Sequence, residues 1–180
     1  MLREQTIEQV CGTIKVDDAV LSNLPSRDAE LVALAKLILQ CAPRNVLEIG
    51  TSKGYTACAI RAAAGEKAKF KSLDVAAVGE EFKKRFPNRA EELVRISSLD
   101  FDWRKAAPYD LVYINGEHKY TALMSDTNNA FETTRKGGLI LWHNYRKDPS
   151  SKLTFFIDFL AKFVDIVWIK DTHFALHRRQ

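Results

Sequence analysis

Two glycines and two histidines carry most of the chemistry that this sequence offers. In Glu48-Ile49-Gly50-Thr51-Ser52-Lys53-Gly54-Tyr55-Thr56 the spacing is Gly-x-x-x-Gly, bracketed by hydroxyl and acidic side chains. Gly50 lets the chain turn sharply off the residues before it, and Gly54 lets a following helix begin close to a bound molecule, with backbone N–H groups aimed at it. A purely structural tight turn has the same spacing. The loop fits neither the dinucleotide fingerprint, because Ser52 stands where the second glycine belongs, nor the phosphate loop with its Gly-Lys-Ser/Thr. His118 and His143 carry imidazoles, whose unperturbed pKa of about 6.5 suits taking a proton from a hydroxyl near neutrality or holding a substrate. The ordinary alternative for each is a structural hydrogen bond. Cys11, Cys41 and Cys58 lack metal-type spacing, and an odd count argues against a disulfide framework, so reduced thiols are expected.

The elements around these residues decide whether they can meet. Leu31, Leu34, Ala35, Leu37, Ile38 and Cys41 form one apolar helical face from Arg27 onward, stopped by Pro43. The pattern predicts a strand over Asn45–Ile49, a helix over Tyr55–Ala64, a strand over Phe70–Leu73 ending at Asp74, and a helix over Glu80–Arg85 before Pro87. Strands follow at Leu93–Ile96 and Tyr109–Ile114, then a helix over Thr121–Thr134, a turn at Lys136-Gly137 and a strand over Gly138–Trp142. Strands apolar on both faces and separated by helices make a parallel sheet covered on both sides. After a helix from Lys152 to Lys162, the strands Val164–Ile169 and His173–His177 are joined by only Lys170-Asp171-Thr172, which makes an antiparallel hairpin. The expected fold is therefore α/β: a Rossmann-like doubly wound sheet of seven strands, mostly parallel, ending in a C-terminal antiparallel hairpin. Residues 1–26 read as an irregular segment packed on a single domain of residues 27–180. Ligands of such sheets bind at the carboxyl ends of the strands. That edge would gather the glycine loop, Asp74, Ser98 or Asp100, the Asn115–His118 stretch and His143-Asn144.

Val46-Leu47-Glu48-Ile49-Gly50-Thr51-Ser52-Lys53-Gly54-Tyr55-Thr56 resembles motif I of class I S-adenosylmethionine-dependent methyltransferases, where an acid-x-Gly-x-x-x-Gly loop wraps the cofactor's methionine end. Tyr109-Asp110-Leu111-Val112-Tyr113-Ile114-Asn115-Gly116-Glu117-His118-Lys119-Tyr120 resembles the Phe-Asp-Leu-Val-Phe-Ile-Asp-Gly-Asp-His-x-Tyr segment of the small-molecule methyltransferases grouped as family 24. Lys136-Gly137-Gly138-Leu139-Ile140-Leu141-Trp142-His143-Asn144 is similar to the Pro-Gly-Gly-x-x-x-x-His-Asp element that follows there. The likeness runs from about Arg27 to Arg178. It implies S-adenosylmethionine as cofactor, S-adenosylhomocysteine as product, and a cofactor site of Glu48, Gly50, Thr51, Ser52, Gly54, Tyr55, Asp74, Ser98, Asp100 and Asn115. Asp74 would accept hydrogen bonds from the ribose hydroxyls, as an acid does at this position in nucleotide-binding sheets. Glu48 would face the amino or sulfonium side, directly or through water, or else cap the helix start. Ser98 and Asp100 compete for the adenine amine. Glu117, Tyr120 and Asn144 would line the acceptor, with His143 and His118 as bases.

Asn115 and Asn144 stand where the family carries aspartates. Hard divalent cations want anionic oxygen, so no metal is expected and activity is expected to survive chelation, while Glu117, His118 and His143 leave a softer or weaker site open. His173 and His177 read as hairpin surface.

With 180 residues, 46% apolar and 28% charged, the chain suits one domain and neither disorder nor a coiled coil. No window reaches the roughly 18 uncharged apolar residues of a membrane span, and charges at Arg3 and Glu4 oppose a signal peptide, so a cytoplasmic protein is expected. A net charge of +4 is mild, and its clusters at Lys67-Ala68-Lys69-Phe70-Lys71 and His177-Arg178-Arg179 read as solvated strand ends. Methylation of an exocyclic base amine would call for Asn/Asp-Pro-Pro-aromatic where Asn115-Gly116-Glu117-His118 stands, which disfavours nucleic acid. The expected activity is methyl transfer to a small-molecule hydroxyl. A degenerate cofactor-binding or regulatory protein is the alternative that Asn115 and Asn144 would suit, and a homodimer through a sheet edge or the apolar N-terminal helix stays open.

Overall fold

The computed structural model describes residues 2–76, 78–116, 119–148 and 150–180. In chain order the elements are β1 (Arg3–Gln5), α1 (Ile7–Cys11), α2 (Asp18–Ser22), α3 (Ala29–Cys41), β2 (Asn45–Ile49), α4 (Tyr55–Ala64), β3 (Lys69–Asp74) and α5 (Glu80–Arg85). A 3-10 turn over Pro87–Glu92 leads to β4 (Leu93–Arg95), β5 (Tyr109–Ile114), α6 (Tyr120–Thr133), β6 (Thr134–Trp142), α7 (Lys152–Leu160), β7 (Ile166–Ile169) and β8 (Ala175–Arg178). They form one eight-stranded sheet in the order β1-β7-β8-β6-β5-β2-β3-β4. From β4 to β6 every pair is parallel, β8 runs antiparallel to both β6 and β7, and β1 is parallel to β7.

Alternation along the strands divides the core in two. Val46, Leu111, Tyr113, Leu139 and Leu141 pack toward α3 and α4. Leu47, Ile49, Val112, Ile114, Ile140 and Trp142 pack on the opposite face with Leu123 of α6 and Leu153 and Ile157 of α7. The Asp28 side chain starts α3 by accepting the Leu31 N–H at 2.9 Å, satisfying one of the open donors of the first turn.

The expectation of an irregular stretch over residues 1–26 needs correction. Thr6 and Gln9 form a reciprocal capping box at α1, Asp17 caps α2, and β1 adds an eighth strand. Arg3-Glu4-Gln5 has no apolar alternation, so nothing local announces a strand. It is held by tertiary partners instead: the Lys170 N–H donates to the Gln5 carbonyl at 2.8 Å, and Lys147 pairs with Glu4 at 2.9 Å. Other boundaries differ as well. β6 begins at Thr134, ahead of the expected Lys136-Gly137 turn, because the pairing with β5 continues through a register shift; α7 stops at Leu160, and β8 begins at Ala175. His177 is not surface: it is buried, its Nδ1–H donates to the Asp165 carbonyl at 2.8 Å, and its ring packs on Phe131. Cys11, Cys41 and Cys58 are free thiols. Among the described residues no helix is long and apolar enough to cross a membrane.

Candidate active site

The glycine loop leaves β2 at the centre of the sheet. Gly50 sits at φ +93°, and a Cβ there would lie 2.1 Å from the Asn115 carbonyl oxygen. Its N–H donates to the Leu73 carbonyl at 2.8 Å, while the Asn115 N–H donates to the Ile49 carbonyl at 2.8 Å. The carboxyl ends of β3, β2 and β5 are thus tied backbone to backbone. Gly54, at φ +88°, opens α4 where a Cβ would come within 3.0 Å of the Phe82 side chain on α5. Further on, the Gly79 N–H donates to the Ser52 carbonyl at 2.9 Å, so the loop is fixed from both sides.

Two cavities flank this loop. One, of about 440 Å³, is lined by Gly50, Ser52, Asp74, Ser98, Leu99, Asn115 and Gly116 among others. Asp74 Oδ2 accepts the Ser52 N–H at 3.0 Å and Oδ1 accepts the Ala76 N–H at 2.9 Å. A carboxylate oxygen offers about two lone-pair sites, so each retains capacity for a ligand hydroxyl. Beneath Gly116 lies Asp126, whose Oδ1 has no partner among the described residues. Burial raises the Asp126 carboxyl to about 6 despite a hydrogen bond from Ser98.

The second cavity, of about 260 Å³, is lined by Glu30, Thr51, Ser52, Tyr55, Tyr113, Asn115, His143 and Phe174, together with Asp28, Leu31, Lys53 and Thr56. Ser52 and Asn115 belong to both cavities. Asn115 Oδ1 accepts from Asn144 Nδ2 at 3.1 Å and lies 2.8 Å from His143 Nδ1. With that oxygen already accepting from an amide, it is an acceptor for His143 as well, so Nδ1 carries the proton. His143 Nε2 lies 3.4 Å from Glu30 Oε2. Glu30 Oε1 accepts the His173 backbone N–H at 2.6 Å and sits 3.1 Å from His173 Nδ1. Burial alone would raise the Glu30 carboxyl, but the adjacent His143 ring and the His173 backbone N–H outweigh it and pull it down to about 2. The Tyr113 hydroxyl is buried without a partner among the described residues.

Of the residues expected from sequence, Gly50, Ser52, Asp74, Ser98 and Asn115 line the first cavity, and Thr51, Ser52, Tyr55, Asn115 and His143 the second. Gly54 shapes the loop without lining either. Asp100 is exposed and lines neither, which favours Ser98 over it at this edge. Tyr120 opens α6 and packs edge-on against Phe156, away from both cavities. Asn144, at φ +67°, acts on Asn115 and not on a cavity wall. Its Nδ2 donates to Asn115 Oδ1, the same oxygen that lies against His143 Nδ1. Glu117 and His118 lie outside the described residues. Reading the sequence missed Glu30, Tyr113, Asp126 and His173. Tyr113 was the accessible one, since it shares the strand face of a residue opposite Glu48.

Glu48 corrects its expected place at the mouth of the loop. Period-two alternation turns it to the α3 and α4 side, where it is fully buried, accepting from Ser72 Oγ at 2.5 Å and from Thr56 Oγ1. It braces the start of α4 from below. Burial raises its carboxyl to about 7, against the two hydroxyl donors, with the charge of Asp74 adding to the rise. The folded state therefore holds a proton that the unfolded chain releases near 4.5. The resulting stability is complete below that pH and is lost as pH rises through 7, by about 3 kcal/mol in total. Denaturant titrations at pH 5 and pH 8 should show Glu48→Gln relieved of this decline; parallel curves for both proteins would show that Glu48 ionises freely in the fold.

Parallel strands in the order β4-β3-β2-β5-β6, an antiparallel β8-β7 pair, a glycine loop after the central strand and an acid after the next one define a class I methyltransferase. The profile of the methyltransferase-domain family 24 matches residues 47–145, more than half of the chain. The chain belongs to this family of class I S-adenosylmethionine-dependent methyltransferases. No curated protein matches it. Among solved structures, cofactor-bound Rv0187 from MTB superposes with a TM-score of 0.65 at 18% identity, covering 95% of each chain. The O-methyltransferase TomG from Streptomyces achromogenes, in complex with SAM, gives 0.63 at 17% identity over 93% of this chain and 92% of its own. SAH-bound PaMTH1 from Podospora anserina gives 0.69 at 14% identity over 97% and 92%. At these identities the likeness is one of fold.

Proposed function

We propose that this methyltransferase moves the methyl group of S-adenosylmethionine to a hydroxyl oxygen of a small molecule. The observation that carries the reading is the pair of cavities meeting at Ser52 and Asn115, with a strand-end acid in one and an imidazole in the other. The nucleoside occupies the Asp74 and Ser98 side, the methionine end lies along Thr51 and Ser52, and the acceptor enters beside Tyr113 and His143. TomG, described as an O-methyltransferase, supports oxygen as the acceptor atom.

Bound there, S-adenosylmethionine would supply an electrophilic methyl group to the acceptor oxygen, the electron pair of the broken C–S bond staying on the sulfur of the departing S-adenosylhomocysteine. The hydroxyl proton passes to His143 Nε2, where it comes to rest against the ionised Glu30. Because the sulfonium is already an activated electrophile, alignment is the main contribution, roughly 7–11 kcal/mol for well-oriented reactants. The base adds about 10²–10⁴-fold.

Calorimetry against S-adenosylmethionine tests the cofactor half. Losing a charged hydrogen-bond acceptor costs roughly 1.5–3 kcal/mol, so Asp74→Ala should bind about 10- to 150-fold more weakly. Unchanged affinity would remove Asp74 from the site. Release of S-adenosylhomocysteine that depends on an added phenol or alcohol tests the transfer itself; cofactor binding without such release from any acceptor would favour a regulatory protein.

A further inference from the structure

We propose that Glu30, His143 and His173 form a three-ligand site for a divalent transition-metal ion of the zinc class, beside the acceptor cavity that Glu30 and His143 line. The donors come from three separate elements: the first turn of α3, the residue after β6 and the connection between β7 and β8. Their ligand atoms all lie within 4.8 Å of one another. His143 Nε2 lies 3.4 Å from Glu30 Oε2 and His173 Nδ1 lies 3.1 Å from Glu30 Oε1, one imidazole on each carboxylate oxygen. A tetrahedral zinc ion with bonds of about 2.1 Å separates its ligand atoms by about 3.4 Å, so a carboxylate turned to present one oxygen to both rings closes the set.

The hydrogen bonds point the same way. Asn115 Oδ1, already accepting from Asn144, fixes the proton of His143 on Nδ1 and leaves the Nε2 lone pair facing a carboxylate oxygen. Two acceptors at that separation repel unless a cation stands between them. A ring whose second nitrogen is held by an outer partner is also the usual arrangement of a metal-ligating histidine. Two imidazoles and one carboxylate suit zinc, iron, cobalt or nickel better than magnesium or calcium, which separates this set from the amide corner of Asn115 and Asn144. The cation at Nε2 is therefore either a proton or the metal ion. It follows, in a step that rests on the methyltransferase reading, that the metal-loaded form lacks its base and turns over slowly, so that a chelator preserves activity and does not abolish it.

The test is titration of cobalt(II) into the 180-residue protein stripped with EDTA, followed by visible absorption. One equivalent should produce the intense d–d bands of a four- or five-coordinate ion, displaced by zinc. His173→Ala and Glu30→Gln should lose these bands. The His173 side chain is 45% exposed, so its variant keeps the decision open to measurement even if Glu30→Gln unfolds. S-adenosylmethionine affinity, read on the same His173→Ala sample, checks its fold and separates failure of the metal site from failure of the cofactor reading. A pale octahedral cobalt spectrum in the parent, or bands of equal strength in folded His173→Ala, would overturn the site.

Discussion

In His143→Ala, turnover is expected to fall by about 10²-fold or more, while S-adenosylmethionine affinity stays within about a few-fold, because the nucleoside cavity does not include this residue. His143 follows β6, with β5 and β2 between it and the acid of β3, and faces the cavity that holds Tyr113 and Glu30. Removing the ring also takes a hydrogen-bond partner from the Asn115 amide and empties the space beside the Glu30 carboxylate. Stability must therefore be measured alongside rate. Turnover per folded molecule is the deciding quantity. If it is intact and the variant instead loses cofactor affinity or unfolds early, His143 is a structural residue and the proton goes elsewhere.

Gly50→Ala should be the more damaging substitution for the protein itself. Its Cβ would fall 2.1 Å from the Asn115 carbonyl oxygen, 2.6 Å from the carbonyl carbon and 2.9 Å from the Gly116 nitrogen, all backbone atoms of the adjoining strand end. No side chain can swing aside. The left-handed backbone costs about 1–2 kcal/mol, and forced overpacking about 1–3 kcal/mol more. Gly65→Ala carries backbone strain without the clash, since Gly65 sits at φ +76°, ψ 169°, a region only glycine enters readily, with open space around the missing Cβ. Denaturant midpoints should rank parent, Gly65→Ala and Gly50→Ala in that order, with cofactor binding lost only in the last. Equal destabilisation of the two variants would mean that the β2 and β5 ends separate without cost.

The central sheet was legible because its signals are local. Asn45–Ile49 and Tyr109–Ile114 are short apolar runs between turn residues, Tyr55–Ala64 follows a helix-opening glycine, and Glu80–Arg85 ends before a proline; all four keep their expected bounds. The functional edge followed, since placing residues after parallel strands needs only strand order. What stayed hidden depends on distant partners. Glu30 and His173 are 143 residues apart and meet only because β8 returns beside β6, carrying the hairpin connection onto the first turn of α3. Neither has a spacing that marks it. β1 is three polar residues whose partner strand lies at the other end of the chain. Glu48 is the different case: its strand alternation was readable, and the pairing of Glu48 with Tyr113 shows that it shares the α3 and α4 face of the sheet.

That Ser52 and Asn115 line both cavities bears on how the protein could be inhibited. A compound joining a nucleoside to an acceptor-like ring would have to thread its linker past the Ser52 side chain, which rests on a left-handed residue at φ +48°, and past an Asn115 amide already engaged by Asn144. Both wall groups are polar and small. A slim linker bearing one hydrogen-bond donor suits that passage better than a bulky apolar one, and selectivity over other methyltransferases of this fold would come from the ring placed against Glu30, His143 and Phe174.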